Sequence, residues 1–207
     1  MGKIITIGIT GASGAVLART ALRLLDADAR VSRVHLVITD AGQRLLAQEL
    51  GIGAQDAKQM PALIAGIKTE KIELLPNRDI GAAIASGSQT VDGMAVIPCS
   101  AGTLASIANG ASDDLLARAA DVCLKEKRTL ILCVRETPFS RIHIENMLRA
   151  SDAGAVIMPV IPAFYYGPRT IDDLIEQYVY RVLALLGLPQ EQQYQWEGSA
   201  KSRAREG

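Results

Sequence analysis

The sequence predicts an α/β fold in which helices cover both faces of a doubly wound parallel sheet. Short apolar runs rich in β-branched residues alternate with longer helical stretches along the chain. These runs are apolar at nearly every position, which is typical of strands buried on both faces. The 207 residues, 49% of them hydrophobic, are enough to bury the core of one such domain. We therefore expect a single domain over residues 1–188 and a polar, partly flexible tail over 189–207.

The elements alternate in the order that this fold requires. The predicted strands are Ile4–Thr10, His35–Thr39, Met94–Pro98, Leu130–Val134 and Ala155–Met158. The predicted helices run from Gly14 to about Leu25, then over Ala41–Leu50, Ala101–Asn109, Asp113–Lys125, Ile142–Ser151 and Ile171–Leu186. The pattern is weaker between residues 51 and 91, where we expect a helix around Ala62, a strand near Lys71–Leu75 and a loop.

Composition excludes several classes of function. Lys and Arg together number 22, as do Asp and Glu, so a strongly basic nucleic-acid binder is not expected. The three cysteines form no CxxC pair and only two histidines are present, which argues against disulfide scaffolds and multi-histidine metal sites. No apolar run reaches the roughly 18–20 residues that a membrane span needs. We expect a cytoplasmic protein with no membrane or nucleic-acid partner.

Two turns rich in small residues follow predicted strands. The first, Gly8–Gly14, reads GITGASG and places Ser13 and backbone amides at the start of a helix, where an anion is favoured. It matches neither GxGxxG nor the Walker loop. The second, Pro98–Thr103, has the same position after a later strand. Two such turns at the carboxyl ends of parallel strands predict one crevice for a phosphate or nucleotide. Cys99 in the second turn is a weak candidate nucleophile, because no histidine accompanies it.

Charged residues suggest a phosphate site held by cations. Arg135 and Glu136 close a very apolar strand, at the edge where α/β folds bind ligands. Arg118 and Lys125 lie seven residues apart on one predicted helix and therefore share a face. Neither Asp113-Asp114 nor Asp172-Asp173 continues as DDxxD, so the usual carboxylate cluster for a magnesium diphosphate is absent and no metal site is predicted.

These segments resemble the UbiX-type flavin prenyltransferases, formerly described as phenylacrylic acid or 3-octaprenyl-4-hydroxybenzoate decarboxylase subunits. The resemblance covers about residues 3–197, and its most specific motifs are RAADVCLKEKR (118–128) and RETPFS (135–140). It implies a homo-oligomeric, flavodoxin-like or Rossmann-like three-layer α/β/α fold, usually a dodecamer, with FMN bound near a contact of three subunits. It also implies transfer of a dimethylallyl group from dimethylallyl monophosphate to N5 and C6 of reduced FMN. The product, prenyl-FMN, would serve UbiD-type decarboxylases.

The resemblance carries site residues over to this chain. The residues implied to bind FMN are Gly11, Ala12, Ser13, Thr39, Ser100, Ala101, Gly102, Thr103, Arg118 and Arg135. Those implied to bind the prenyl phosphate are Ser86, Gly87, Lys125, Arg135, Tyr165, Arg181 and Trp196, with the 86–88 turn expected from a neighbouring subunit. The implied catalytic residues are Glu49, Glu136, Lys125 and Ser13, and which glutamate acts as acid or base is left open.

The chain departs from the family pattern at two positions. Asp40 stands where many relatives carry lysine, and Ala101 where many carry threonine or isoleucine. Neither removes an implied phosphate ligand. In the resulting hypothesis, Lys125, Arg135 and Arg181 offset the charge of the departing phosphate without a metal.

Two alternatives remain at this stage. One is an FMN-dependent cysteine decarboxylase of the same fold, although residues 158–168 read MPVIPAFYYGP instead of that class's PxMNxxMW-type loop. Its catalytic histidine also has no counterpart here. The other is a non-catalytic FMN-binding or carrier protein. Turnover by the pure protein would separate an enzyme from a carrier.

Overall fold

A computed structural model describes residues 2–53 and 57–195. Six parallel strands form one sheet in the order β3-β2-β1-β4-β5-β6. The strands are β1 (Lys3–Ile9), β2 (Val31–Ile38), β3 (Ile72–Leu75), β4 (Gly93–Cys99), β5 (Thr129–Val134) and β6 (Val156–Ile157). This is the Rossmann strand order. The chain first adds strands on one side of β1 and then crosses over to add β4 on its other side. The predicted doubly wound α/β class is confirmed.

Seven α-helices connect and cover the strands within the described part of the chain. They are α1 (Ala15–Ala27), α2 (Asp40–Leu50), α3 (Met60–Ala65), α4 (Ala101–Ala108), α5 (Leu115–Lys125), α6 (Arg141–Asp152) and α7 (Ile171–Leu185). A short 3-10 turn, Ala83–Ala85, precedes β4. Side-chain caps fix the starts of several helices, since Asp114 accepts a hydrogen bond from the Ala117 amide and Ser140 accepts one from the His143 amide.

One core lies on each face of the sheet. Ile5 and Ile7 of β1 pack with Leu22 of α1 and Leu183 of α7 on one face. The other face carries Met94 of β4, packed with further aliphatic residues of α4 and α5. Because both faces are covered, the strands are apolar throughout, as the sequence pattern predicted.

The predicted elements are present, with shifted ends. The second strand begins at Val31, four residues before the predicted His35. The prediction started too late because Ser32 and Arg33 at the start of the strand are exposed and break the apolar pattern. The last strand shrinks to Val156–Ile157. The helix expected around Ala62 and the strand near residues 71–75 are both found.

The first part of the C-terminal tail is fastened to the domain. The Arg30 guanidinium donates to the Pro189 carbonyl at 3.0 Å, and the Gln190 amide donates to Asp28 at 3.2 Å. Hydrogen bonds from Arg30 lower the pKa of Asp28 to about 2, although burial opposes the shift. Residues 189 and 190 of the tail are therefore hydrogen-bonded to the domain. Trp196 lies outside the described residues.

No helix among the described residues combines the length and the apolar character that crossing a membrane requires.

Two glycines in the first turns of helices provide a matched test of this packing. A methyl group on Gly42 of α2 would lie 2.5 Å from the Ile9 carbonyl oxygen, whereas one on Gly102 of α4 would meet nothing within 4 Å. We expect Gly42→Ala to destabilise the protein by about 1–3 kcal/mol through overpacking. Gly102→Ala should instead be neutral or stabilise it by up to about 1 kcal/mol. Denaturant unfolding followed by circular dichroism measures both, and equal effects would contradict the close approach of α2 to β1.

Candidate functional site

A crevice opens at the carboxyl edge of the sheet, where the turns after β1 and β4 meet. Thr10 joins these turns: its hydroxyl donates to the Pro98 carbonyl at 2.9 Å and accepts from the Ser100 amide at 2.8 Å. Thr10 is only 1% exposed. We call this region the carboxyl-edge crevice. It lies between β1 and β4, where the strand order reverses and where open α/β sheets bind ligands.

Glu49 reaches the crevice from the last turn of α2. Its carboxylate accepts hydrogen bonds from the Gly14 amide at 3.0 Å and from the Ala15 amide at 2.8 Å. These amides belong to the start of α1, where the helix dipole favours a negative charge. The carboxylate of Glu49 therefore occupies the anion position that the GITGASG turn creates.

Several neighbours keep Glu49 ionised. Burial alone would raise the pKa of Glu49, but it is outweighed by hydrogen bonds from the Ser13 hydroxyl and the two amides, and by the charge of Arg135. The pKa of Glu49 consequently lies below its ordinary value of 4.5. Ser13 in the turn after β1 and Arg135 after β5 thus both act on Glu49 at the end of α2.

The turn after β4 presents a small polar surface to the crevice. Ser100 caps α4, because its hydroxyl oxygen accepts from the Thr103 amide at 3.2 Å and donates to the Thr103 hydroxyl at 3.0 Å. Beside them, a Cβ atom at Gly102 would face open space. Cys99 is fully buried, and burial raises the pKa of its thiol. The candidate nucleophile is therefore inaccessible and protonated.

Arg135 lies directly after β5 and is held by the sheet. Its backbone amide donates to the Cys99 carbonyl at 3.0 Å, which extends the β4–β5 pairing by one residue. The Nε atom of Arg135 is buried and has no hydrogen-bond partner among the described residues. An unpaired buried guanidinium N–H is costly, so the site is suited to an anionic ligand. The adjacent Glu136 carboxylate accepts from the Thr137 amide at 3.0 Å.

Thr39 completes the other side of the crevice. It caps α2 by accepting from the Gly42 amide at 3.0 Å, and its own amide donates to the Ile9 carbonyl at 3.0 Å. Asp40, the residue that departs from the family pattern, points away to an exposed ion pair with Arg78. That pair is worth little in solvent.

A second cavity, which we call the tail-side cavity, lies beside the end of β6. Its volume is about 470 Å³, and Tyr165, Tyr178 and Arg181 line it together with Met158. The Tyr178 hydroxyl donates to the Met158 carbonyl at 2.7 Å and so fixes α7 against this edge. The cavity combines a cation, aromatic rings and apolar surface, and it brings together Tyr165 and Arg181, two of the residues implied to bind the prenyl phosphate.

The remaining predicted ligands form a third group, which we call the amino-edge corner. Ser86 and Gly87 precede β4, and Lys125 ends α5 just before β5. Arg118 donates to the Ala85 carbonyl at 3.2 Å and Arg128 to the Gly87 carbonyl at 2.7 Å.

Lys125 lies close to the turn at Gly87. A methyl group on Gly87 would come within 2.6 Å of the Lys125 ammonium, which is ion-paired with Glu126. The predicted turn and Lys125 are therefore one structural unit.

A single chain does not bring all the predicted cations together. Lys125 precedes β5 and Arg135 follows it, so the length of the strand separates them by about 20 Å, at roughly 3.3 Å per residue. The carboxyl-edge crevice and the amino-edge corner consequently lie at opposite edges of the sheet. Within one chain, Lys125 and Arg135 therefore do not lie at one site.

Thr10 is the site residue that the sequence analysis missed. It lies in both the predicted first strand and the GITGASG turn, but it receives no role there, because a threonine in an apolar β-branched run is normally a strand residue. The available signal was that a polar side chain at a buried strand end needs a hydrogen-bond partner.

The described residues fit an anionic cofactor such as FMN. Gly102 faces open space and the unpaired Nε of Arg135 is a free donor for a negatively charged group. No cluster of three or more His, Cys, Asp and Glu side chains suited to a metal occurs within residues 2–53 and 57–195.

Known proteins resemble this chain over most of its length. The Flavoprotein family profile matches residues 1–183. Flavin prenyltransferase UbiX of Pseudomonas aeruginosa is 43% identical over 197 residues, which is 93% of each chain. The crystal structure of AnUbiX in complex with FMN and dimethylallyl pyrophosphate superposes with a TM-score of 0.85 at 39% identity, covering 96% of this chain and 99% of the other.

Two further structures bear on assembly and on the alternatives. A dodecameric FMN-dependent UbiX-like decarboxylase from Escherichia coli O157:H7 has a TM-score of 0.83 at 40% identity, covering 94% of this chain and 100% of the other. The FMN-dependent cysteine decarboxylase TvaF shares only the fold, at 14% identity and a TM-score of 0.58 over 89% of this chain and 98% of the other.

The position of Glu49 predicts a pH-dependent contribution to stability. Because its pKa is lower in the folded state, its carboxylate stabilises the fold above about pH 4.5, and this contribution is lost as the pH falls through the folded pKa. We expect Glu49→Gln to lower stability by about 1 kcal/mol at pH 7. The difference from the parent protein should shrink below pH 4.5. Thermal unfolding across this range measures it, with exposed Glu191→Gln as the control; a difference independent of pH would contradict the assignment.

Proposed function

The chain belongs to the UbiX family of flavin prenyltransferases, and we propose that it transfers a dimethylallyl group from dimethylallyl monophosphate to N5 and C6 of reduced FMN. The observation that carries the proposal is the buried, unpaired guanidinium nitrogen of Arg135, whose positive charge also helps to lower the pKa of Glu49. A cation poised beside an ionised carboxylate provides both the charge that a leaving phosphate requires and a proton acceptor.

FMN would lie between the two turns of the crevice. One side of the flavin would face Gly11, Ala12 and Ser13, and the other side would face Ser100–Thr103. Thr39 and Arg135 close its ends. Reduced FMN supplies the nucleophilic N5 and C6 positions. Because Glu49 already uses the Gly14 and Ala15 amides, the flavin phosphate is expected to rely on the Ser100–Thr103 turn and Arg135 instead of the start of α1.

The two candidate acids have different roles in this proposal. Glu49 is ionised at neutral pH, since its pKa is lowered, so its carboxylate accepts a proton during ring closure. Glu136 lies half-buried beside Arg135, at the end of the site where the phosphate would depart. Ser13 positions Glu49 by donating a hydrogen bond to it.

The prenyl phosphate would bind where subunits meet. Arg135 belongs to the carboxyl-edge crevice, whereas Lys125, Ser86 and Gly87 belong to the opposite edge of the same chain. A second subunit must therefore supply the amino-edge corner, including Arg118, if all these groups act on one phosphate. The dodecameric relative supports such an assembly. Tyr165 and Arg181 complete the donor site, and Trp196 remains a prediction outside the described residues.

The cellular role follows from the product. We propose that prenyl-FMN passes to a UbiD-type decarboxylase and that the protein works in the cytoplasm. Three buried free cysteines within the described residues favour a reducing compartment.

A direct assay tests the reaction. Anaerobic incubation with reduced FMN and dimethylallyl monophosphate should give the mass of the prenylated flavin, and Glu49→Gln should slow its formation more than it weakens FMN binding. Dimethylallyl pyrophosphate in a parallel reaction establishes which donor is used. Bound FMN without any adduct would reject the transferase and leave the carrier alternative. Release of CO₂ from a cysteine-terminated peptide would favour the decarboxylase.

Hybrid particles test the shared site. Arg135→Ala and Lys125→Ala should each slow prenylation on the order of 10²-fold. Coexpressed and coassembled, the two variants should recover about a quarter of the parent activity, because each site draws the two residues from different subunits. Particles assembled from only one of the two variants serve as controls. No recovery in verified hybrids would contradict the shared site.

A further inference from the structure

The segment Gln190–Tyr194 forms one wall of the tail-side cavity, and we call it the tail wall. Gln193 and Tyr194 line the cavity together with Tyr165 and Arg181. The cavity is therefore built from two parts of the chain, the region from β6 through α7 and a short segment that follows α7. The shape of the cavity depends on what holds that segment in place.

Gln177 of α7 binds the backbone of the tail wall with both ends of its amide. Its Nε2 donates to the Gln192 carbonyl at 3.0 Å, and its Oε1 accepts from the Tyr194 amide at 2.9 Å. Paired hydrogen bonds from one planar amide fix the orientation of the segment as well as its position. No side chain of the tail wall takes part in this contact, and the start of the wall is held separately by the Gln190 amide on Asp28.

The clamp places the ring of Tyr194 against the aromatic side of the cavity. The Tyr194 ring centroid lies 5.4 Å from that of Tyr165 and 5.9 Å from that of Tyr166. Such tilted pairs are favourable beyond the area they bury. The Tyr166 hydroxyl donates to the Asp173 carbonyl at 3.2 Å, which anchors this group of rings to the start of α7.

We propose that Gln177 is a positioning residue for the prenyl donor. By holding the tail wall, it keeps Tyr194 packed on Tyr165 and closes the cavity around the alkyl part of a short allylic phosphate, whose charged end faces Arg181. The proposal rests on the proposed function, because it assigns the tail-side cavity to the donor. Without the clamp, the wall swings away and the apolar part of the donor meets water.

Gln177→Leu is the principal test, since leucine keeps the size and helix propensity but removes both hydrogen bonds. We expect the KM for dimethylallyl monophosphate to rise on the order of tenfold, with kcat and FMN affinity changed less than twofold. Hydrogen exchange at the Tyr194 amide should become faster. It is measured by labelling the intact assembly, digesting it afterwards and analysing the peptides by mass spectrometry. A merely structural role in α7 would lower kcat and FMN affinity as well.

Three further variants sharpen the result. Gln192→Ala should behave as the parent protein, because Gln177 contacts only the backbone there. Tyr194→Ala should raise KM as Gln177→Leu does, because it removes the ring that packs on Tyr165. Combining Gln177→Leu with Tyr194→Ala should add little to the larger single effect, because both changes remove the same wall.

The outcomes separate this inference from the assignment of the reaction. Unchanged exchange at Tyr194 in Gln177→Leu overturns the clamp, and faster exchange with an unchanged KM overturns its role for the donor. If the parent protein makes no adduct, the proposed function fails. Calorimetric titration of dimethylallyl monophosphate into parent and Gln177→Leu proteins then decides on the clamp, and equal affinities overturn it.

Discussion

The hydroxyl group of Thr10 links the turns after β1 and β4, and the geometry of the crevice depends on this link. It satisfies the Ser100 amide and the Pro98 carbonyl at once, in a place that water does not reach. On the neighbouring strand, the Thr39 amide performs a similar task for the Ile9 carbonyl. The ends of three strands are therefore locked together before any ligand binds. Preorganised donors of this kind cost no rearrangement when charge develops.

The order and type of the elements could be predicted because their patterns are local. Apolar strands, small-residue turns and alanine-rich helices are read within windows of about 10–15 residues. The predicted start of β2 was wrong, since exposed Ser32 and Arg33 interrupt the apolar run. The strand order also required the structure, although a crossover fold limits the choices.

Site residues with distant partners were harder to place. Glu49 looked like a lone carboxylate at a helix end, and only the return of α2 towards α1 shows that it covers two amides. Gln177 gave no sequence signal at all, because its partners are backbone atoms, which are the same in every residue. Conversely, Lys125 and Arg135 are near in sequence, yet a whole strand intervenes and carries them to opposite edges. Proximity along the chain is therefore a poor guide when an element lies between.

The separation of Lys125 from Arg135 has a genetic consequence. If each site takes Arg135 from one subunit and Lys125 from another, a chain altered at both positions damages two sites, whereas a chain altered at one position damages one. In a cell that makes normal and doubly altered chains in equal amounts, only about a quarter of the sites in mixed particles would keep both residues. An allele changed at both positions would then lower activity more than an allele that prevents folding, whose product never enters a particle.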